Sequence, residues 1–560
     1  MTIRVTGIKL ALDKDIDELP LLAARKLGTP TESISAWQLV RRSVDARHKD
    51  QVRFVYSVDV TLKRGEEKLL ARHQNNPEII PARGEEAAPY LPTGGGLDFR
   101  PVVVGAGPAG IFAALTLAWQ GYRPIILEQG QDVATRAQAV QHFWSTGELD
   151  TYSNVQFGEG GAGTFSDGKL TTRISDRRIN LVLQAMVDAG APEEIRYLQK
   201  PHVGTDKLKT VVVNLRQMLL KAGGEVRFGA RVSQILLEQG QVTGVEVRGA
   251  ETPSSEVIPG SEVISYKANS NPEVIPTQVV ILAPGHSSRS TYRMLADQGV
   301  AMEAKALAMG VRIEHPQELI DQAQYGKFAG HPKLGAAEYQ LTYQDKAADR
   351  SAYTFCMCPG GVVVGAASGE AQVVTNGMSD YARDSGFANS ALVVSVRPDD
   401  YAGNHPLAGV EFLEQWERAA YQLGGSDFSA PAMTVEDFLA GRTTSQLPEG
   451  MGTYRPGINP ADLSRCLPHY VAETLEKAII DMGRKLTAFN SPGALLTGVE
   501  TRTSAPVRIL RGQDFQAEGI TGLYPAGEGA GYAGGIMSAA VDGIRAAEAV
   551  IRNLSGSAHR

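Results

Sequence analysis

Cysteine is scarce, with three residues in a chain of 560. So few exclude a disulfide framework as the source of stability. Positive charge is not in excess either. The net charge is −7, which sets up no global field for nucleic acid. The opening stretch "MTIRVTGIKLALDKDIDELP" lacks the apolar core of a secretory signal. Apolar runs elsewhere are too broken by polar residues to span a bilayer. These absences lead us to expect a cytoplasmic protein without a transmembrane segment. Hydrophobic residues make up 43% and charged residues 21%, as in ordinary globular chains. The length requires two to four structural units.

Patterning divides the chain. Residues 1–95 read as a small α+β module. "IRVTGIKLAL" and "QVRFVYSVDVTL" alternate like strands, "DIDELPLLAARKLG" reads as a helix, and "ISAWQLVRRSVDAR" fits either a helix or a strand. Its cluster Arg41, Arg42, Arg47, His48 and Lys49 is a solvated face or an anion site, the former favoured. "EEAAPYLPTGGGLDFRP" is linker-like. Residues 250–278, with EVIP twice, read as an extended hairpin or surface loop.

The most informative segment is "RPVVVGAGPAGIFAALTLAWQGYRPIILEQG". A buried strand ends at Gly105, and Gly105, Gly107 and Gly110 give G-x-G-x-x-G with a helix starting inside the motif. The first glycine permits the turn, the second lets backbone approach a pyrophosphate, and the third lets helix and strand pack closely. Phosphates favour the free N–H groups and dipole of such a helix start, here around Pro108 and Ala109. A second strand ends at Glu128, followed by Gln129, 18 residues after Gly110. A carboxylate there suits ribose hydroxyls. Together these predict a Rossmann-type α/β domain over 96–290, completed by 496–560, with a strand-rich insert at 291–495.

Three later segments choose between FAD and NAD. They are "FGEGGAGTFSDGKLTTR" (157–173), the strands "EVRFGARVSQILLEQGQVTGVEVR" with the return "VVILAPGHSSR", and "GITGLYPAGEGAGYAGGIMSAAVDGIRAAEAVI". This order resembles the FAD-binding fold of the glutathione-reductase-like superfamily. With "SVDAR", "CMCPGG" and "TRTSAPVRI", the chain resembles a bacterial family of largely uncharacterised FAD-dependent dehydrogenases over nearly its whole length, and more distantly geranylgeranyl-reductase-like flavoproteins. The resemblance implies FAD held non-covalently. It places Glu128 and Gln129 at the adenosine ribose and Val232 at adenine through its backbone. Gly161, Gly163 and Thr164 fall in the second glycine loop, with Gly285 at a strand end and Gly527 and Glu528 beside the ribityl and pyrophosphate. The helix opening at Gly534, Gly535, Ile536 and Met537 would face the flavin pyrimidine edge.

A second G-x-G-x-x-G is missing, and so is a C-x4-C pair near residue 150. A dedicated nicotinamide domain is therefore not expected, although NAD(P)H could dock transiently. The expected activity is hydride transfer between flavin N5 and a small organic substrate. Three alternatives stay open: an NAD(P)H-reduced flavin hydroxylase, an RNA-modifying flavoprotein, and a non-catalytic flavin redox sensor or scaffold whose N-terminal module docks a protein partner. The acidic balance weighs against nucleic acid.

Catalytic candidates are few. Arg502 or Arg508 could hold an anionic substrate by bidentate contact. Lys169 and Arg173 could touch the flavin, and Tyr454 and Arg455 lie in a loop. Cys356 and Cys358 sit at i and i+2, which on a regular strand puts both thiols on one face. A disulfide between them would be strained and reducible, and a metal would need further ligands such as Cys466 and His469. Packing of small residues behind the Pro359-Gly360-Gly361 turn is the favoured reading, and no metal is expected.

Overall fold

The computed structural model describes residues 2–82, 97–249, 251–253, 266–268 and 272–557. Strand patterning at the N-terminus produces a four-stranded antiparallel sheet in the order Ile34–Asp45, Arg53–Leu62, Thr2–Ala11, Ile79–Pro81. Alternate residues Phe54, Tyr56, Val58 and Val60 point inward, where helix Leu19–Leu27 covers them. The ambiguous "ISAWQLVRRSVDAR" is a strand, because it pairs along Arg53–Leu62. Its edge docks the module on the rest of the chain. Arg42 N–H donates to Tyr197 O at 2.7 Å, and Gln199 N–H donates to Arg42 O at 2.9 Å. The basic cluster is partly spoken for: Arg42 lies over the rings of Phe54 and Tyr197, and Arg47 pairs with Asp45 at 2.7 Å.

Five short strands form a parallel sheet in the order Leu523–Pro525, Val280–Leu282, Val102–Val104, Ile125–Leu127, Glu225–Arg227. The first four are buried on both faces, as a parallel sheet covered on both sides requires, whereas the edge strand Glu225–Arg227 is half-buried and carries two charges. Helices Pro108–Trp119 and Ile536–Ser557 cover one face together. Their approach is close enough that a Cβ on Gly543 would lie 2.7 Å from Ala109 C. The other face carries the antiparallel meander Arg231–Glu238, Gln241–Arg248, Glu273–Pro276. Within 250–278, Glu251–Pro253 pairs antiparallel with Tyr266–Ala268, and Glu273–Pro276 is the meander's third strand. Residues 254–265 and 83–96, the latter holding most of the expected linker, lie outside the described residues.

A seven-stranded sheet follows the order Thr342–Asp345, Arg350–Cys358, Phe387–Val396, Leu307–Pro316, Leu495–Glu500, Ala430–Thr434, Ile458–Pro460. Helices Gln317–Tyr325, Ala408–Leu423 and His469–Lys485 pack on it. Pro468 directly precedes the last of these helices, at its N-cap. Val362–Gly365 does not pair back on Arg350–Cys358 but on Thr375–Met378, in a separate ribbon. Among the described residues no helix is long and apolar enough to cross a membrane.

Candidate functional site

All five parallel strands run the same way, so the segments after them collect at one edge, where open α/β sheets bind ligands. The loops there and the face of the seven-stranded sheet enclose a cleft with about 1560 Å³ of empty space, open solvent included.

The glycine turn divides its labour. Gly105 has φ +102°, and a side chain on it would run into the Ala283 carbonyl. A Cβ on Gly110 would strike the Gly105 carbonyl, 3.0 Å from its carbon, so this glycine serves packing from behind the wall. Gly107 differs. Its φ of −77° suits any residue, and an added Cβ would meet only Gly161 Cα at 3.9 Å. Pro108 opens the helix, and the first-turn amides after it have no intrahelical acceptor.

Glu128 joins three loops. Its Oε2 accepts from Ala106 N–H at 2.8 Å, and its Oε1 accepts from Gly130 and Gly158 N–H at 2.9 and 3.0 Å. A carboxylate has about four acceptor positions, so Oε2 keeps one for a hydroxyl in the cleft.

The second glycine loop is held by a residue the sequence did not single out. Arg136, fully buried, donates to the carbonyls of Asn154 (2.8 Å), Val155 (2.9 Å), Glu159 (2.7 Å) and Gly161 (3.0 Å). Burial lowers its pKa to about 10 against the pull of Glu128 and Glu159. Gly158, Gly160 and Gly161 have φ of +121°, +81° and +63°, so the loop needs glycine to turn under this clamp.

The expected site residues are thus largely brought together. Gly105, Gly107, Pro108, Ala109, Glu128 and Gln129 line the cleft, as do Gly161, Gly163, Val232 and Gly285. Glu528, Gly535 and Ile536 line it as well, and Glu528 Oε2 accepts from Gly535 N–H at 3.3 Å. Others lie elsewhere. Thr164 is buried beneath its loop, its hydroxyl donating to Glu159 O at 3.1 Å, and Met537 packs in the core of the parallel sheet. Gly527 supports from behind, with its N–H on Asp542 at 2.8 Å, and Gly534 is exposed beside the rim.

The opposite wall comes from the seven-stranded sheet. Phe355, Cys356, Met357 and Cys358 line it, whereas the Pro-Gly-Gly turn does not. Gly360 and Gly361 pack instead against segment 378–383. Register slips between Phe355 and Cys358, and Cys356 has φ +43°, so regular alternation fails at the pair. Both thiols are free. Cys358 Sγ donates to Cys356 O at 3.3 Å. Cys356 is exposed to the cleft yet deep in the protein, and burial pushes its thiol up to about 12. Cys358 is raised for the same reason. Neither is a thiolate, which thiol chemistry requires. Cys466 is buried with Sγ donating to Leu463 O, and His469 pairs with Glu473. Among the described residues no three metal-ligating side chains gather. Lys169 lines the cleft and donates to Met357 O.

Arg502 lines the cleft at 9% exposure. Its Nε and Nη2 donate to Glu417 at 3.1 and 3.3 Å, and its buried Nη1 has no partner among the described residues. Arg508 is instead an edge-strand residue paired with Glu303 at 3.1 Å. His286, directly after Gly285, was missed by sequence reasoning; its signal is the His-Ser pair following a glycine at a strand end. It lines the cleft with Nδ1 at 2.9 Å from Ser287 Oγ, which donates to Gln156 Oε1 at 2.9 Å. Burial, then Arg502 and Arg289, lower its pKa against Glu528, so the ring is neutral at pH 7.

These residues fit a dinucleotide. Gly107 is glycine without a conformational or packing reason inside the chain, which is the signature of a wall that a ligand approaches. Free helix amides beside it suit a pyrophosphate, and Glu128 has acceptor capacity for a ribose. The fold and cleft define a protein of the dinucleotide-binding α/β class. Comparison with known proteins carries this further. An FAD binding domain model matches residues 100–164, and "FAD-dependent protein, C-terminal domain-like" matches 306–503. A domain of unknown function matches 2–61. An uncharacterized protein of Clostridium beijerinckii is 47% identical over 551 residues, covering 98% of this chain and 99% of that one. The chain belongs to this bacterial family of largely uncharacterised FAD-dependent proteins. Solved structures similar to it include a flavin-dependent brominase (12% identity, 82% and 80% of the two chains, TM-score 0.36). A geranylgeranyl bacteriochlorophyll reductase-like protein of Thermoplasma acidophilum is also similar (13%, 81% and 79%, TM-score 0.33).

Proposed function

We propose that this protein is an FAD-dependent oxidoreductase that moves hydride between the flavin and a small organic substrate. In this reading residues 96–290 and the chain after Thr503 hold the cofactor, and 1–95 form a docked module; the substrate wall comes from 291–503 rather than stopping at the expected 495, because strand Leu495–Glu500 belongs to the seven-stranded sheet. The observation that carries it is the second wall of the cleft. Phe355–Cys358, Asn376 and Gly377, and Glu500, Arg502 and Thr503 face the loops of the parallel sheet across one continuous space. FAD, when bound, supplies the hydride chemistry. The chain's own groups bind and orient. Arg312, fully buried, holds Glu500 at 2.8 and 3.0 Å and donates to Cys356 O at 3.2 Å, fixing that wall. Neutral His286 is the group suited to take a proton from a substrate hydroxyl or return one. The deprotonation cost of the two cysteines supports a packing role for them rather than a redox one.

The test is anaerobic reduction of the bound flavin, followed by its loss of absorbance, with NADPH and NADH as donors and then with a panel of small alcohols, amines and acids. Bleaching by any of them supports the reading, and bleaching by a nicotinamide would point to a reductase or hydroxylase. A bound flavin that none of these reduces, and that no chemical reductant makes competent to reduce an acceptor, would favour a sensor or scaffold.

A further inference from the structure

Glu417 is oversubscribed. Arg289 holds it with two bonds of 2.7 Å, Thr501 adds one of 2.6 Å, and Arg502 adds two longer ones of 3.1 and 3.3 Å. That is five donors on a carboxylate with about four acceptor positions. The well-made pair is Arg289 with Glu417, and Arg502 is the surplus cation. Nearby Glu414 does not relieve it, because Glu414 is engaged by Arg293 at 2.7 Å and by Arg289 at 3.5 Å. A guanidinium carries five N–H donors; Arg502 is among the residues lining the cleft, and its Nη1 is buried just behind that wall with no partner among the described residues. A buried charge left without a partner is costly, so the site calls for an anion. Burial first, and then the repulsion of Arg289, lower the pKa of Arg502 to about 10 against the pull of Glu417 and Glu414.

Which anion follows from the wall. Arg502 lies two residues beyond strand Leu495–Glu500 of the seven-stranded sheet, on the side assigned above to the substrate. The free amides suited to the pyrophosphate are on the other wall, at the start of helix Pro108–Trp119. We propose that Arg502 turns Nη1 from its buried position into the cleft to bind a carboxylate of the substrate, so that the molecule this cleft oxidises or reduces is a small carboxylic acid. This rests on the reading of the cleft as a cofactor-plus-substrate site. Arg289 and Glu417 are then a fixed support that orients Arg502, and neutral His286 stands in the same cleft.

The experiment uses the FAD-loaded protein titrated with sodium acetate and sodium benzoate, with sodium chloride at equal ionic strength as control, reading the bound flavin's absorption spectrum. A saturable carboxylate-specific shift is expected. Arg502→Met should weaken that titration about 10- to 100-fold, the worth of one charge-assisted hydrogen bond. Its FAD affinity should stay within about threefold. Arg502→Lys keeps a cation on Glu417 but presents no second nitrogen, so it should fold, bind FAD and lose the carboxylate shift. Arg508→Met should behave as the parent protein. The proposal is overturned if carboxylates leave the parent spectrum unmoved, or if either Arg502 variant keeps the full shift. It is equally overturned if the Lys variant loses FAD affinity tenfold or more, which would make Arg502 a cofactor ligand. If the protein does not bind FAD at all, the reading of the cleft falls first and this proposal with it.

Discussion

Two glycines three residues apart in one motif should fail in different ways. Gly107→Ala adds a methyl group that meets only Gly161 Cα at 3.9 Å, on a backbone with φ −77°. Nothing in the protein resists it, so the melting midpoint of the FAD-free protein should stay at its parental value. The methyl projects into the space where backbone must come within about 3 Å of a phosphate oxygen. Losing one charge-assisted contact there costs about 1.5–3 kcal/mol, or a 10- to 100-fold weaker FAD dissociation constant. Gly110→Ala meets a backbone carbonyl, that of Gly105, with Val103 Cγ1 also at 3.3 Å. A carbonyl in the turn cannot swing aside as a side-chain tip can. Strand and helix must separate, at about 1–3 kcal/mol for overpacking, and the midpoint should fall before any ligand is added. Thermal melts of both FAD-free variants and fluorescence titration with FAD decide the matter. A Gly107→Ala protein that binds FAD like the parent, or a Gly110→Ala protein that melts like it, would refute the division of roles.

Other perturbations should read out the supports of the cleft. Arg136→Met strips donors from four carbonyls, two in the second glycine loop and two just before it; with about 1–3 kcal/mol for each acceptor left dry, loss of FAD binding and earlier proteolysis within 154–163 are expected, and unchanged FAD affinity would show the clamp to be idle. Iodoacetamide at pH 8 should label Cys356 about a thousandfold more slowly than an ordinary exposed thiol, since only about one molecule in ten thousand is ionised when the pKa is near 12; rapid labelling of the folded protein contradicts this. Replacing both Cys356 and Cys358 with serine should leave the flavin spectrum and reduction rate unchanged. His315 is buried with Nε2 on Phe489 O at 2.8 Å, and burial holds its pKa at about 4. The unfolded chain takes the proton first, so this contribution is complete above about pH 6.5 and declines towards pH 4, by up to about 3 kcal/mol. His315→Asn should flatten urea midpoints over that interval, and an unaltered slope would count against the burial argument.

Local features were legible and tertiary ones were not. The glycine turn, its helix and the acid at the next strand end are all short-range, and the structure places Gly105, Gly107 and Glu128 together as their spacing implies. The second glycine loop was visible by density of glycine alone. Its clamp was not, because Arg136 is one arginine on a helix and its acceptors lie 18 to 25 residues on. Direction within the loop was also hidden, so Thr164 and Met537, neighbours of cleft residues, turn into the core. Both cysteines of the pair reach the cleft wall, but not by the regular alternation their spacing suggests, because register slips between Phe355 and Cys358. "ISAWQLVRRSVDAR" satisfied two periodicities, and only pairing with Arg53–Leu62 decides for a strand. The surplus charge at Arg502 depends on Glu417, 85 residues away, and no spacing rule reaches so far.

The central claim, that this cleft holds FAD for hydride transfer to a second ligand, is tested most directly by titrating the purified protein with FAD. The titration is followed under nitrogen by adding electron donors to the complex. The account predicts one FAD per chain, bound about 10- to 100-fold more weakly after Gly107→Ala, and a bound flavin that a donor bleaches and a substrate reoxidises. A protein that stays colourless with added FAD, or binds it equally well with the Gly107 wall filled, would contradict it.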